Sequence, residues 1–470
     1  MADVSGAYIG GSWRPFTTGT PTAIRNPATE SVVGTLWGAG DGDVDDAVRH
    51  AGEAFAAWSQ TSCQQRARLL RELATELEKR EAQIAETITR DVGMPLRHAA
   101  RIQARLPVTV TSSYANLIES LDLVERIGNS LVVREPVGVV AAVTPWNYPL
   151  HQIICKVAPA LAAGATVVLK PSEVAPLVTQ HLVEALEAAA APPGLVNIVH
   201  GIGPDVGPVL VNHPGVDMVS FTGSVPTGIR VAEWCARGIK RVSLELGGKS
   251  ASVVLPDADL ARAVKATVAN AFLNSGQTCS AWSRLLVPHE QHEQALEIAR
   301  AAAGLFAPGD PMDASTRLGP LVSASQRARV RSFIDRGRAE GARLVTGGSE
   351  PPTAVGYFVS PTVFGDVQPH MAIAQEEIFG PVLAVMPYRD VEDAIRIANG
   401  TRYGLHGGVW SADQDLALRV AGRLRTGSVD VNGAAFNPLA PFGGVKQSGT
   451  GRELGRHGLV EFTELKSIQF

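Results

Sequence analysis

"VGVVAAVTPWNYP", residues 137–149, is an apolar run that stops abruptly at Thr144 and Pro145 and gives way to Trp146, Asn147 and Tyr148. A strand buried on both faces reads as such a run rather than as an alternation. Three more follow, separated by helical patterns: "ATVVLK" (165–170), "GLVNIVH" (194–200) and "VDMVSFTG" (216–223). Strands of this kind alternating with helices predict a parallel, doubly wound sheet, in which ligands bind beyond the carboxyl ends of the strands. The informative residues are therefore expected just after each run, where "TPWNYP", "KPSE" and "FTGS" stand. A second α/β block is expected from "ELGGKSASVVL" (245–255) through "SRLLVP", "GYFVSPTVF" and "GPVLAVMPY".

Working outward, the first third reads helical. In "DVDDAVRHAGEAFAAW" (43–58), Val44, Ala47, Val48, Ala51, Phe55 and Trp58 recur at helical spacing, with acidic residues in the first turn where the helix dipole favours them. Ser62 and Gln65 fit a capping box at the start of a second helix with Leu69, Leu70, Leu73 and Leu77 on its apolar face. The stretch "LDLVERIGNSLVVREPVG" (121–138) reads as an arm or hairpin, or as another pair of surface strands. The tail "GLVEFTELKSIQF" ends in strand-forming residues.

Composition excludes whole classes of function. With 470 residues, 45% hydrophobic and 19% charged, the chain can bury ample core and suggests two to three domains at roughly 150 residues each. A net charge of −4 without a long run of one sign provides no field for nucleic acid or anionic lipid. No segment reaches a membrane span, and the N-terminus lacks a signal pattern, so a cytoplasmic location is expected. Cys63, Cys155, Cys235 and Cys279 are too few and too scattered for a secreted disulfide framework, and no CxxC or HxxxH spacing predicts a metal site.

Chemistry concentrates around "SGQTCS" (275–280). A lone cysteine is more often a buried apolar group than a nucleophile, so its neighbours must decide the reading of Cys279. Glu245 ends an apolar run before two glycines; a desolvated carboxylate there acts as a general base near neutral pH, or else caps backbone amides. Thiol attack on a carbonyl also needs oxyanion donors, which Asn147 and the Cys279 amide can supply. Ser224 and Pro226 open a helix whose N-terminus suits a pyrophosphate, an ordinary capped helix being the alternative. Lys170 can donate to ribose hydroxyls, while Glu173 accepts from a 2′-hydroxyl and repels a 2′-phosphate, favouring NAD over NADP; a solvated surface turn is the alternative. "GIGPDVG" (201–207) misses the dinucleotide fingerprint by one residue and plays only a supporting part through Gly203.

Taken together and in this order, "PWNYP", "KPSE", "FTGS", "ELGGKS", "GQTC", "EEIFGP" and "PFGGVKQSGTGRE" resemble the aldehyde dehydrogenase superfamily over essentially the whole chain. The resemblance implies Cys279 as nucleophile, Glu245 as general base, Asn147 as the oxyanion amide and Lys156 on the proton path. It implies cofactor contacts at Trp146, Lys170, Glu173, Gly203, Gly223, Ser224, Glu377 and Phe379. The implied fold is a Rossmann-like NAD domain (1–117 and 137–247), a second α/β catalytic domain (248–448) and a small β oligomerisation arm with the tail (118–136 and 449–470), in a homo-oligomer, dimer or tetramer. The implied reaction is NAD-dependent oxidation of a small-molecule aldehyde to a carboxylic acid through a thiohemiacetal and a thioester. Relatives that acylate coenzyme A commonly lack the base, so Glu245 argues for water. A cofactor-free cysteine hydrolase leaves the cofactor stations unexplained, and an inactive binding protein leaves Cys279, Glu245, Asn147 and Glu377 intact without a reason.

Tyr148, His151 and Cys155 are expected on a helix lining the aldehyde tunnel, with Trp282, Phe436 and Phe442 as further walls. His151 and Cys155 stand where larger apolar or aromatic residues are common in the family, which implies a roomier or more polar tunnel; a satisfied core histidine is the alternative. The aromatic walls suit an aromatic or medium-chain aldehyde, with a semialdehyde as the second reading.

Overall fold

The computed structural model describes residues 2–4, 6–16 and 21–470. Two sheets organise the chain. The first has eight strands in the order Gly449–Thr450, Arg241–Glu245, Met218–Thr222, Val139–Val143, Thr166–Lys170, Val196–Ile198, Gly6–Ile9 and Ser12–Pro15. Its five inner strands, Arg241–Glu245 through Val196–Ile198, are parallel, and the edges are antiparallel. Every residue of Thr166–Lys170 and Met218–Thr222 is buried, which is why these strands read as largely apolar runs without alternation. From Val139–Val143 the chain runs outward to one side through two strands, then returns to place Met218–Thr222 on the other. The carboxyl ends of Val139–Val143 and Met218–Thr222 thus flank the point where strand order reverses, the usual location of a ligand crevice.

The second sheet has seven strands: Arg343–Thr346, Thr362–Gly365, Val382–Tyr388, Arg284–Pro288, Ala251–Val254, Gly407–Trp410 and Asp430–Val431. All its pairings are parallel except the Arg343–Thr346 edge. Each sheet carries apolar cores of its own, built from Val140, Leu161 and Leu169 or Val139, Val168 and Val219 in the first, and from Leu286, Phe364 and Val409 or Val254, Leu285 and Val385 in the second.

The stretch 121–138 does form a hairpin. Strands Val124–Ile127 and Ser130–Pro136 turn at Gly128 (φ +60°), where the left-handed backbone suits glycine, and the tail strand Thr463–Gln469 pairs along the hairpin in antiparallel register. The tail does not run directly from residue 449 into this sheet, because Gly449–Thr450 first pairs with Leu244 and Glu245. The helices Asp41–Trp58 and Cys63–Lys79 lie where their periodicity predicts, and Ser62 and Gln65 close the capping box reciprocally. The helical reading of the first third needs one correction: Gly6–Ile9 and Ser12–Pro15 form a hairpin on the first sheet, and Thr22–Arg25 and Val32–Leu36 belong to a separate three-stranded sheet. Strands this short span too few residues to show a period.

Candidate active site

The chain reaches Cys279 through a tight, left-handed passage. After the helix Leu260–Ala271, Asn274, Ser275 and Gly276 adopt φ values of +51°, +56° and +74° in succession. Such a conformation costs free energy at non-glycine residues and persists only where its surroundings over-determine it. They do so here. Asn274 Nδ2 donates to the carbonyls of Asn147 (3.0 Å) and Gln277 (3.3 Å), Gln277 Nε2 donates back to the Asn274 carbonyl (3.1 Å), and Gln277 Oε1 accepts from the Val322 amide (2.9 Å). Ser275 Oγ donates to the Gly319 carbonyl (2.8 Å).

Asn147, just past the strand Val139–Val143, is buried and donates from Nδ2 to the Gln277 carbonyl at 3.1 Å. An amide nitrogen carries two protons, so one stays available for a ligand oxygen. Tyr148 Oη meets Thr278 Oγ1 at 2.6 Å, binding the helix Pro149–Ala163 to the residue before Cys279. The Cys279 thiol is pushed well above its ordinary range by burial, and further by the Glu377, Glu245 and Glu453 carboxylates. It therefore rests as a protonated thiol and needs a base or a bound cation to activate it.

Glu245 ends the strand Arg241–Glu245, and among the described residues neither of its buried carboxylate oxygens has a hydrogen-bond partner. Burial, then the Glu453 carboxylate, raises its pKa well above the carboxylate range. A side chain at Gly443 would collide with Glu245 Oε1, so the glycine-rich loop gives this carboxylate its room. Beside it, Lys156 Nζ and Glu453 Oε1 form a buried ion pair at 2.6 Å.

The residues expected to contact a cofactor stand at or near strand ends. Lys170 Nζ pairs with Glu173 Oε2 at 2.9 Å, and Glu173 Oε1 accepts from the Gly203 amide at 3.3 Å. Ser224 caps the helix Val225–Arg237 through the Thr227 amide (3.4 Å). Gly223 sits where a Cβ would come within 2.5 Å of the Phe221 ring, and the buried Thr222 hydroxyl has no hydrogen-bond partner among the described residues. A crevice with an orphan hydroxyl, a close-packed glycine and the free amides of a helix start fits a pyrophosphate. Glu377 Oε1 accepts from the Gly248 amide at 3.0 Å, and burial pushes its pKa up to about 7. A side chain at Gly247 would strike the same carboxylate. Phe379 has φ +61°, and its ring meets Trp146 edge-on at 5.4 Å.

With this geometry in view, the comparisons are decisive. The profile of the aldehyde dehydrogenase family matches residues 13–468. The chain belongs to the aldehyde dehydrogenase family. Among curated relatives, a 3-succinoylsemialdehyde-pyridine dehydrogenase from Pseudomonas sp is 46% identical over 471 residues, covering 100% of this chain and 99% of the relative. Among solved structures, aldehyde dehydrogenase C of Pseudomonas syringae, a cysteine-to-alanine mutant complexed with NAD+ and octanal, superposes with a TM-score of 0.98 at 42% identity, covering 99% of this chain and 96% of that one. An NAD+ complex of aldehyde dehydrogenase from Bacillus cereus gives a TM-score of 0.96 at 38% identity, with 99% and 96% coverage.

In this aldehyde dehydrogenase, Tyr148, His151 and Cys155 share one face of the helix Pro149–Ala163, with Cys155 Sγ 3.6 Å from His151 Nε2 and 3.9 Å from Nδ1. Phe436, half exposed, meets Phe442 edge-on at 6.3 Å. Trp282 is a correction to the expected tunnel. It is buried in the core of the second sheet, stacked on His406 at 6.2 Å and edge-on to Trp410, because three residues past Cys279 the chain is already turning into the strand Arg284–Pro288.

Several residues of the site are invisible to motif reading. Gln326 Nε2 donates to the Phe379 carbonyl and Arg329 Nη2 to the Glu377 carbonyl, each at 2.7 Å, so the helix Ala324–Ala339 holds the "EIFGP" loop from outside. Asn274 and Glu453 had no assigned role, although Glu453 closes the quoted glycine-rich motif. Lys249, inside "ELGGKS", is fully buried with no hydrogen-bond partner for Nζ among the described residues, and burial lowers its pKa to about 7. Among the described residues one trio of metal-type donors, His292, Glu293 and Asp366, comes together, and Arg343 already pairs with both carboxylates.

Proposed function

We propose that this chain oxidises aldehydes to carboxylic acids with NAD, using Cys279 as nucleophile and water activated by Glu245 as the final acceptor. The observation that carries the reading is the buried, unpartnered Glu245 carboxylate, whose charge acts on the Cys279 thiol inside a match to the family that spans the chain. The NAD+ complexes of the Pseudomonas syringae and Bacillus cereus enzymes support the cofactor.

Asn147 Nδ2 and the Cys279 amide receive the oxyanion when the thiolate adds to the aldehyde carbon. When bound, NAD supplies the hydride acceptor against which the thiohemiacetal collapses to a thioester. Glu245, free of partners and with space at Gly443, swings to take a proton from water, which attacks the thioester and frees acid and thiol. Lys156 and Glu453 carry that proton onward from Glu245. Lys170 and Glu173 hold the adenosine ribose, Gly203, Gly223 and Ser224 frame the pyrophosphate, and Glu377, Phe379 and Trp146 seat the nicotinamide end. Glu173 at the ribose favours NAD over NADP, since a 2′-phosphate would meet its carboxylate.

The substrate belongs to the aromatic or medium-chain class. The octanal complex of one relative and the pyridine-bearing semialdehyde named for another support this range. Residues 1–117 and 137–247 serve the cofactor, 248–448 the catalytic face, and the sheet of 118–136 with the tail serves assembly. Its exposed Val124, Ile127, Leu465 and Ile468 suit a dimer or tetramer, and four free thiols suit a reducing, cytoplasmic setting. The test is formation of reduced cofactor from NAD or NADP across aliphatic, aromatic and semialdehyde substrates. Turnover with NAD supports the reading; failure to bind NAD ends it.

A further inference from the structure

The strands Ala251–Val254 and Arg284–Pro288 begin beside a pair of buried cations. Ala251 and Arg284 are register partners, so their side chains share a face of the second sheet, and Lys249, two residues before Ala251, follows the same alternation. Each cation is only 2% exposed. Arg284 commits its guanidinium to backbone: Nε donates to the Lys249 carbonyl (2.9 Å), Nη1 to that of Ile397 (2.8 Å) and Nη2 to that of Ala398 (2.7 Å). Lys249 Nζ has no hydrogen-bond partner among the described residues. Lys249 and Arg284 line one cavity together with Ala398, Asn399, Thr401 and Thr426.

We propose that this cavity binds a small inorganic anion, of the halide class, between the Lys249 ammonium and the unused Nη protons of Arg284. The site stands independently of the dehydrogenase reading above.

Donors outnumber acceptors at this corner. With one bond from each nitrogen, Arg284 keeps a proton on each Nη, and the Lys249 ammonium keeps all of its own. The carbonyls nearby are already taken, Ile397 and Ala398 by Arg284, and Asn399 and Thr401 by Lys446 Nζ at 3.0 and 2.7 Å. Lys446 thus brings a third cation to the same wall. Among the described residues no carboxylate pairs with any of the three. Glu377 and Glu376 act on the Lys249 amine without bonding to it, the first held by the Gly248 amide and the second by Arg402 at 2.7 Å. His406, also on the cavity wall, pairs with Asp430 at 3.0 Å. Desolvated like charges without a counter-charge are costly, and Arg284 cannot shed its proton, so an anion is the compensation that this corner lacks. Cations buried this deeply offer no face to a ligand of many atoms, which selects a compact ion. Asn399 and Thr426 are half-buried, giving that ion a path from solvent.

The test has two arms on the full chain. In the first, Tm is measured in sodium chloride against sodium gluconate at equal ionic strength. Chloride at tenfold its Kd is expected to raise the wild-type Tm by about 1–2 °C, saturably, and the rise is expected to shrink as pH climbs past about 7 and the amine loses its proton. Lys249→Met is expected to abolish the chloride response, and Lys249→Arg, which keeps the charge, to retain it. In the second arm, crystals of the wild type are soaked in sodium bromide, and an anomalous peak is expected within hydrogen-bond distance of Lys249 Nζ and Arg284. An equal chloride response in wild type and Lys249→Met, or no bromide peak in the cavity, overturns the inference. A bromide peak without a chloride response in solution is an adventitious ion only, and overturns it too. Should Lys249→Met not fold, the bromide density and the chloride response of the wild type decide the matter, absence of either being sufficient to reject the site.

Discussion

The two ends of the cleft are built on opposite electrostatic plans. At the end proposed to hold the adenosine, Lys170 and Glu173 lie three residues apart, pair at 2.9 Å, and Glu173 accepts a further bond from the Gly203 amide. At the end proposed to carry the chemistry, Glu245 has no hydrogen-bond partner among the described residues, the Cys279 thiol is driven upward, and an ion pair joins Lys156 to Glu453 across 297 residues of chain. Paired charges make a stable socket. Unpaired, desolvated groups make a reactive one, because burial without compensation shifts their protonation toward the range where proton transfer happens. Binding and chemistry are thus separable in this protein, and each variant below strikes one end and leaves the other to report.

Removing the nucleophile separates them most sharply. Cys279→Ala is expected to reduce aldehyde oxidation by at least about a thousandfold, while NAD affinity, read by fluorescence titration, stays within about threefold. Turnover near wild type would move the nucleophile elsewhere. Glu245→Gln is expected to slow the steady state by roughly a hundredfold to a thousandfold, with the first turnover of reduced cofactor still appearing as a burst, because only the attack of water needs the base. A burst lost in step with the steady state would assign Glu245 to thiol activation instead. In the wild type the base must be ionised, and its pKa is raised by burial and the Glu453 carboxylate, so the deacylation rate is expected to rise with pH at values above the ordinary carboxylate range; Glu245→Gln should flatten that limb.

Between the two ends, Lys249 and Glu377 test what an uncompensated burial costs. Folding lowers the Lys249 pKa from 10.5 to about 7, so the unfolded chain binds the extra proton between those values and stability is lost as pH falls across that window. Glu377, raised from 4.5 to about 7, has the opposite sign: its contribution is present at low pH and is lost as pH rises toward 7. Lys249→Met is expected to remove the alkaline rise in Tm and leave the enzyme more stable than the wild type near pH 7; an identical Tm–pH curve would mean that water or an ion already satisfies the amine. The smallest effect belongs to the paired end. Glu173→Gln is expected to improve kcat/KM for NADP relative to NAD by about tenfold, since one repulsive charge is removed while Lys170 remains. No change in that ratio would show that the 2′-position does not meet Glu173.

Much of the adenosine end can be read directly from neighbouring residues. "KPSE" and "FTGS" are strand ends whose polar groups interact within a few residues, and the Ser224 cap and the Ser62 capping box follow from spacing along one helix. The parallel sheet was equally visible, because strands buried on both faces read as near-continuous apolar runs rather than as an alternation. The catalytic end was visible only as residue types. Cys279, Glu245 and Asn147 stood out, but nothing nearby in sequence places Glu453 on Lys156, or Gln326 and Arg329 on the loop carrying Glu377 and Phe379. Trp282 shows the same limit from the other side: an aromatic residue close to Cys279 in sequence is turned by the next strand into a core on His406 and Trp410.

The division has one physical cause. Apolar periodicity, helix caps and short-range pairs depend on residues adjacent in the chain, so the amino-acid order alone settled the sheet type, where the strands end and which reactive side chains are present. Desolvation and Coulomb fields depend on whatever the fold brings within a few ångströms, from any part of the chain. Only the tertiary structure could therefore decide that Glu245 stands without a hydrogen-bond partner among the described residues and that Lys156 belongs to Glu453.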